Sequence, residues 1–114
     1  MRKLLLALAL LFFGAPCLAA TAYISEFANY PGLYSAAFTP ELTHQTVAIG
    51  GSSAQSNAFS SSTQLIRVEC DSICSVQIGG TNPTATATSM RMAAGVPEYF
   101  IVQPGQKIAV ISNT

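Results

Sequence analysis

Two-residue alternation of apolar and polar side chains most restricts what this chain can become. No stretch between Thr21 and Thr114 sustains the 3.6-residue apolar period of an amphipathic helix. Short alternating runs sit instead between clusters of Gly, Pro, Asn and Ser, the pattern of strands joined by turns. The clearest run is Thr63–Cys70, which turns at Asp71-Ser72-Ile73 and returns as Cys74–Ile78 before Gly79-Gly80. Ile66, Val68 and Cys70 share one face, and Cys74, Val76 and Ile78 can share it with them. This reads as an antiparallel hairpin with Arg67, Glu69, Ser75 and Gln77 on its outer side.

Other segments follow the same rule. Ala22–Phe27 precedes Tyr30-Pro31-Gly32, where proline fixes φ and glycine allows a turn, and Gln45–Ile49 stops at Gly50-Gly51. Met90-Arg91-Met92 forms a weak short strand. Glu98–Val102 and Lys107–Ile111 form a second hairpin about Gln103-Pro104-Gly105-Gln106, which suits a type II turn. Ser52–Thr63 reads as a polar loop anchored by Phe59, with a flat solvated strand as its alternative. Six or seven short strands at this spacing predict an all-β fold, a small antiparallel β-sandwich or jelly-roll-like barrel.

The first twenty residues differ. Arg2 and Lys3 precede the apolar run Leu4–Phe13, then Gly14, Pro16 and the small residues of Cys17-Leu18-Ala19-Ala20, the three parts of a secretory signal peptide. The run is far shorter than the roughly 20 residues that cross a bilayer, so no permanent membrane span is expected. Cleavage falls after Ala19, with Cys17 three residues before the cut, or after Ala20, with Leu18 there; the second position is slightly favoured. Residues 1–20 are therefore read as a leader, or as a misassigned start, and residues 21–114 as one domain. Those 94 residues keep three basic and five acidic groups, a formal charge of −2. Such a chain offers no basic field for nucleic acid, and at this size a lone core gives marginal stability that a disulfide or self-association would raise.

Catalytic groups are sparse. His44 stands in Leu42-Thr43-His44-Gln45 without an HxH or HExxH pattern and reads as a solvated or hydrogen-bonded histidine. Gly-x-Ser-x-Gly and Ser-x-x-Lys are absent, and Glu26, Glu41, Glu69, Asp71 and Glu98 lie on separate segments, where only tertiary proximity could pair them. There is no Gly-x-Gly-x-x-Gly or Walker loop. Beyond Cys70 and Cys74 only Cys17 and His44 could complete a zinc site, so neither a metal nor another cofactor is expected. Across a hairpin, directly opposed Cα atoms lie about 4.5–5.5 Å apart, which suits a Cys70–Cys74 disulfide in an oxidising compartment; in a reducing cytosol the pair would stay as buried thiols.

Five of the eight aromatic residues beyond position 20 fall within its first eighteen residues: Tyr23, Phe27, Tyr30, Tyr34 and Phe38. Such an arm packs either on the domain's own core or against a neighbouring subunit, which makes Tyr23, Phe27, Tyr30 and Tyr34 candidate oligomer contacts.

Taken in order, Ala20–Phe27, Ile66–Asp71 with Cys74-Ser75-Val76, Asn82–Thr86, and Glu98-Tyr99-Phe100 running through Val102 and Pro104–Val110 resemble small structural proteins of tailed bacteriophages and prophages. The resemblance covers most of the chain beyond the leader and contains no catalytic motif. It implies a virion β-domain, either a capsid decoration or a minor structural subunit, that acts as a homo-oligomer, with the major capsid protein as partner and no enzymatic activity. Proteins of this kind usually begin near a Met-Ala-Thr-Ala-Tyr-Ile-Ser segment, whereas here the leader precedes that position. Localisation is thus divided between the virion, with an upstream start codon wrongly chosen, and the periplasm or exterior. The alternative function is an exported module that recognises a carbohydrate or cell-surface partner through its Ser/Thr/Asn-rich loops; a small hydrolase is the remaining reading.

Overall fold

A computed structural model describes residues 19–28 and 40–114. The alternation becomes eight strands: β1 (Thr21–Ala28), β2 (Thr43–Ala48), β3 (Ala54–Gln55), β4 (Thr63–Cys70), β5 (Cys74–Ile78), β6 (Met90–Met92), β7 (Glu98–Ile101) and β8 (Ile108–Ser112). They form two four-stranded sheets, ordered β2-β1-β4-β7 and β3-β8-β5-β6, and every strand pair is antiparallel. The fold is a small all-β sandwich. Its eighth strand, β3, is two residues long within the Ser-rich tract, too short to show a period of its own.

Both expected hairpins are absent, although their strands lie almost where the alternation puts them. β4 belongs to the first sheet and β5 to the second; β7 and β8 are divided in the same way. Each pair is an arch that crosses between sheets. Alternation says which side chains point inward, and a strand meets that demand equally by lying beside its successor or by facing it across the core. Ile66, Val68 and Cys70 therefore face the second sheet, from which Cys74, Val76, Met92, Ile108 and Val110 point back into a shared core. Ala22, Ile24, Val47 and Val102 complete the first layer, and Phe59, 3% exposed, anchors the Ser-rich tract as its composition suggests.

The turn chemistry survives this change of topology. Gln106 N donates to Gln103 O across Pro104-Gly105, and Gly105 has φ 83°, as a type II turn requires. Ser75, expected outside, is fully buried: it points away from the core, where Asn113 Nδ2 donates to its hydroxyl at 2.6 Å. The turn expected at residues 30–32 lies outside the described residues.

Each end of the sandwich is fastened. At one end the Cys70–Cys74 disulfide joins β4 to β5 and hence sheet to sheet, with a Cα separation of 6.5 Å, within the usual range. There Asp71 N donates to Thr21 O, Gly95 N to Cys70 O and Asn113 N to Ile73 O. At the other end Leu42 N donates to Glu26 O, where the chain returns to start β2.

Candidate functional site

The first sheet buries one face and exposes much of the other. Along β1, Ala22, Ile24 and Glu26 point inward, so Tyr23, Ser25 and Phe27 point away from the core. Register then lays out the outer face in rows. Tyr23 lies between Thr46 and Glu69, and Ser25 lies between His44 and Arg67, with Tyr99 beyond Arg67. In the third row Phe27 opposes Leu65, and Leu65 opposes Ile101. The polar rows form an open groove of about 360 Å³ lined by Tyr23, Ser25, Glu41, His44, Arg67 and Glu69.

Its charges are paired in place. Arg67 and Glu69 are two apart on β4, so they share the face, and Arg67 Nη2 donates to Glu69 Oε2 at 2.9 Å. His44, read from the sequence as solvated or hydrogen-bonded, has a carboxylate partner three residues upstream: its Nδ1 lies 2.8 Å from Glu41 Oε1. The Ser25 hydroxyl is the main cause that holds the Glu41 carboxyl below the ordinary glutamate value; desolvation, the next largest, opposes it, and the His44 hydrogen bond and charge add to the lowering. These pairs are solvent-accessible and contribute little to stability. What they provide is a hydrogen-bonding surface beside the half-exposed Tyr23 ring, the kind of mixed aromatic and polar lining that orients a polar ligand.

A second groove of about 580 Å³ lies around the β7 edge, where Val76, Ile78 and Met90 of the second sheet meet Tyr99, Phe100 and Ile101. Tyr99 borders this groove and stands in the register row of Arg67, so the two surfaces are continuous around β7.

The third feature is Glu26. Its side chain is only 2% exposed and lies at the end of the inward row Ala22, Ile24, Glu26. Ser60 N and Thr63 Oγ1 donate to Oε1 at 2.9 and 2.8 Å, and Gln45 Nε2 donates to Oε2 at 3.2 Å. Gln45 in turn brackets Asn57, accepting from its N at 2.8 Å and donating to its O at 3.2 Å. The carboxylate therefore ties the Ser-rich tract to β1 and β2. Among the described residues the ion pairs are His44–Glu41 and Arg67–Glu69, so Glu26 is held by neutral donors.

Of the expected contact residues, Tyr23 is 48% exposed on the outer face and Phe27 is 7% exposed beside Leu65. Tyr30, Tyr34 and Phe38 lie outside the described residues. Cys70 and Cys74 are disulfide-bonded and fully buried. The described residues bring no three His, Cys, Asp or Glu side chains together as a metal site, and no helix among them is long and apolar enough to cross a membrane. Arg67, Glu69 and Tyr99 on the outer face were not recognisable as a group from their spacing, nor was the set of donors around the inward Glu26. The one available signal was Glu26 in the apolar phase of β1.

Fold and surface together define a small antiparallel β-sandwich with a polar-aromatic outer face and an apolar sheet edge. No protein-family model matches the chain, and no curated protein or solved structure matches it either.

Proposed function

We propose that this protein is a non-enzymatic structural subunit that associates with copies of itself and docks on the surface of a larger particle, the role implied by its resemblance to phage and prophage virion proteins. One observation carries the reading. Among the described residues, four of the six exposed large apolar side chains fall within residues 90–101: Tyr99 and Ile101 on β7, the end strand of the first sheet, Met90 on β6, the end strand of the second, and Val96 in the segment between them. An edge strand offers a row of free backbone donors and acceptors, and proteins usually blunt such edges by keeping them short or with charged side chains, proline or a bulge. Glu98-Tyr99-Phe100-Ile101 is short and opens on the charge of Glu98 after Pro97, but its last three residues carry no charge, proline or bulge. A second β7 running antiparallel would complete the pairing across a twofold axis, and a formal charge of only −2 on residues 21–114 opposes association weakly.

Light scattering on the purified protein tests self-association. An oligomer that Ile101→Lys converts to a monomer that still unfolds cooperatively supports it. A wild-type chain that stays monomeric at every concentration removes it. Electron microscopy of the parent particle, with or without density for this domain, decides the docking.

A second reading, an exported binding module for a carbohydrate or cell-surface partner, is favoured by the outer-face groove of Tyr23, Arg67, Glu69, Glu41 and His44 and by the buried disulfide. Retention on a glycan array that is lost in Tyr23→Ala would support it, and absence of retention would remove the carbohydrate form of it.

A further inference from the structure

We infer that the leader is removed between Ala19 and Ala20, one residue before the cut that the sequence pattern slightly favours, so that Ala20 is the first residue of the folded domain. The fold uses Ala20 and makes little use of Ala19. Ala20 O accepts from Ile49 N at 2.9 Å, one step beyond the Thr21–Ala48 pair, and thereby lengthens the β1–β2 ladder. Its half-buried methyl packs against the core cluster. Ala19 is exposed, and its carbonyl accepts a local bond from Thr21 Oγ1 at 3.3 Å.

The peptide unit between Ala20 and Thr21 is engaged on both sides. Its carbonyl is the acceptor of Ile49, and its N–H donates to Asp71 Oδ2 at 3.2 Å. Cutting there would remove a core methyl and leave the N–H of Ile49, itself 7% exposed, without that acceptor. One effect runs the other way: the new ammonium on Thr21 would face the Asp71 carboxylate. That pair would be exposed and screened by water, so it compensates poorly. Cutting after Ala19 gives up only the exposed local bond.

Leader chemistry agrees independently. Cleavage sites of this kind carry small residues at the last and third-last positions of the leader. A cut after Ala19 places Ala19 and Cys17 there, whereas a cut after Ala20 places the larger Leu18 at the third-last position. The inference concerns processing and goes beyond the role proposed above; it requires export, so it goes with an exported domain and not with a virion subunit translated from an internal start.

The experiment is secretion of the full 114-residue chain with its own leader from a bacterial host, followed by intact mass measurement and N-terminal sequencing. A chain beginning at Ala20 is the expected result; a chain beginning at Thr21, or one that retains Met1, overturns the inference. Cys17→Leu, which places a large residue at the third-last position of the leader, is expected to stop or displace cleavage. Unchanged cleavage in that variant counts against the site. Hydrogen exchange supplies a readout that does not depend on the protease: the Ile49 amide of the secreted protein exchanges slowly, as a bonded ladder amide, and fast exchange would show that the Ala20 carbonyl is gone.

Discussion

Replacing Glu26 tests whether a buried carboxylate without a cation holds the Ser-rich tract in place. In Glu26→Ala, Ser60 N and Thr63 Oγ1 lose the acceptor they share, and Gln45 Nε2 loses one of its two. A hydrogen bond to a charged group contributes about 1.5–3 kcal/mol. Thr63 keeps the Ser60 hydroxyl at 2.7 Å, and the Gln45 bond is long and only part-buried, so the three losses do not add in full. We expect a cost of about 3 kcal/mol, which for a domain of this size lowers Tm by roughly 12–24 °C. Glu26→Gln keeps one acceptor oxygen for Ser60 and Thr63 but turns an amide towards Gln45, a donor against a donor. Gln45 cannot flip to relieve this without losing Asn57 N, so we expect an intermediate cost of about 1–2 kcal/mol. Thermal unfolding followed by circular dichroism measures both variants, and hydrogen exchange at the Ser60 amide shows whether the loss is local. The opposing argument is that an unpaired charge in the interior costs more than its hydrogen bonds return, in which case neutralising it raises stability. A higher Tm for Glu26→Gln than for wild type, or a Glu26→Ala shift below about 3 °C, refutes our reasoning.

Three further outcomes follow. The disulfide closes a loop with a sequence separation of four, so chain entropy assigns it about 2 kcal/mol; Cys70→Ser should lower Tm by roughly 8–16 °C in oxidised protein and change little in reduced protein, and equal shifts in both would sink the assignment. Gly105→Ala should cost about 1–2 kcal/mol through its positive φ alone, because an added Cβ would meet nothing within 4 Å; an unchanged Tm contradicts this. The Glu41 carboxyl should titrate by NMR below the ordinary glutamate value, and Ser25→Ala should raise it, since the Ser25 hydroxyl is the largest single cause of the lowering. Because the folded-state value is depressed, the small stability linked to Glu41 is present above the unfolded-state pKa and disappears as pH falls through the folded one; a titration at or above the ordinary value excludes the arrangement.

Strand positions were largely legible in the amino-acid pattern. β4 and β5 begin and end where the alternation of residues 63–70 and 74–78 does, and the Pro104-Gly105 turn is of the type its residues require. These are local properties: the phase of inward side chains and the φ of a turn depend on a few neighbouring residues. The Cys70–Cys74 bond was also legible, but the hairpin register used to expect it was not the reason it forms. Two residues four apart at the mouth of an arch are brought together as readily as two across a ladder.

Tertiary structure decided the partners. Whether β4 lies beside β5 or faces it changes no side chain's phase, so the choice rests on how both sheets close over one core. The same holds for the outer face, where Tyr23, His44, Arg67 and Tyr99 come from four strands and meet only once the order β2-β1-β4-β7 is set. Glu26 shows the boundary most sharply. Its inward phase is written in β1, but the donors that make a buried carboxylate tolerable lie 19 to 37 residues away, and only the folded chain brings them to it.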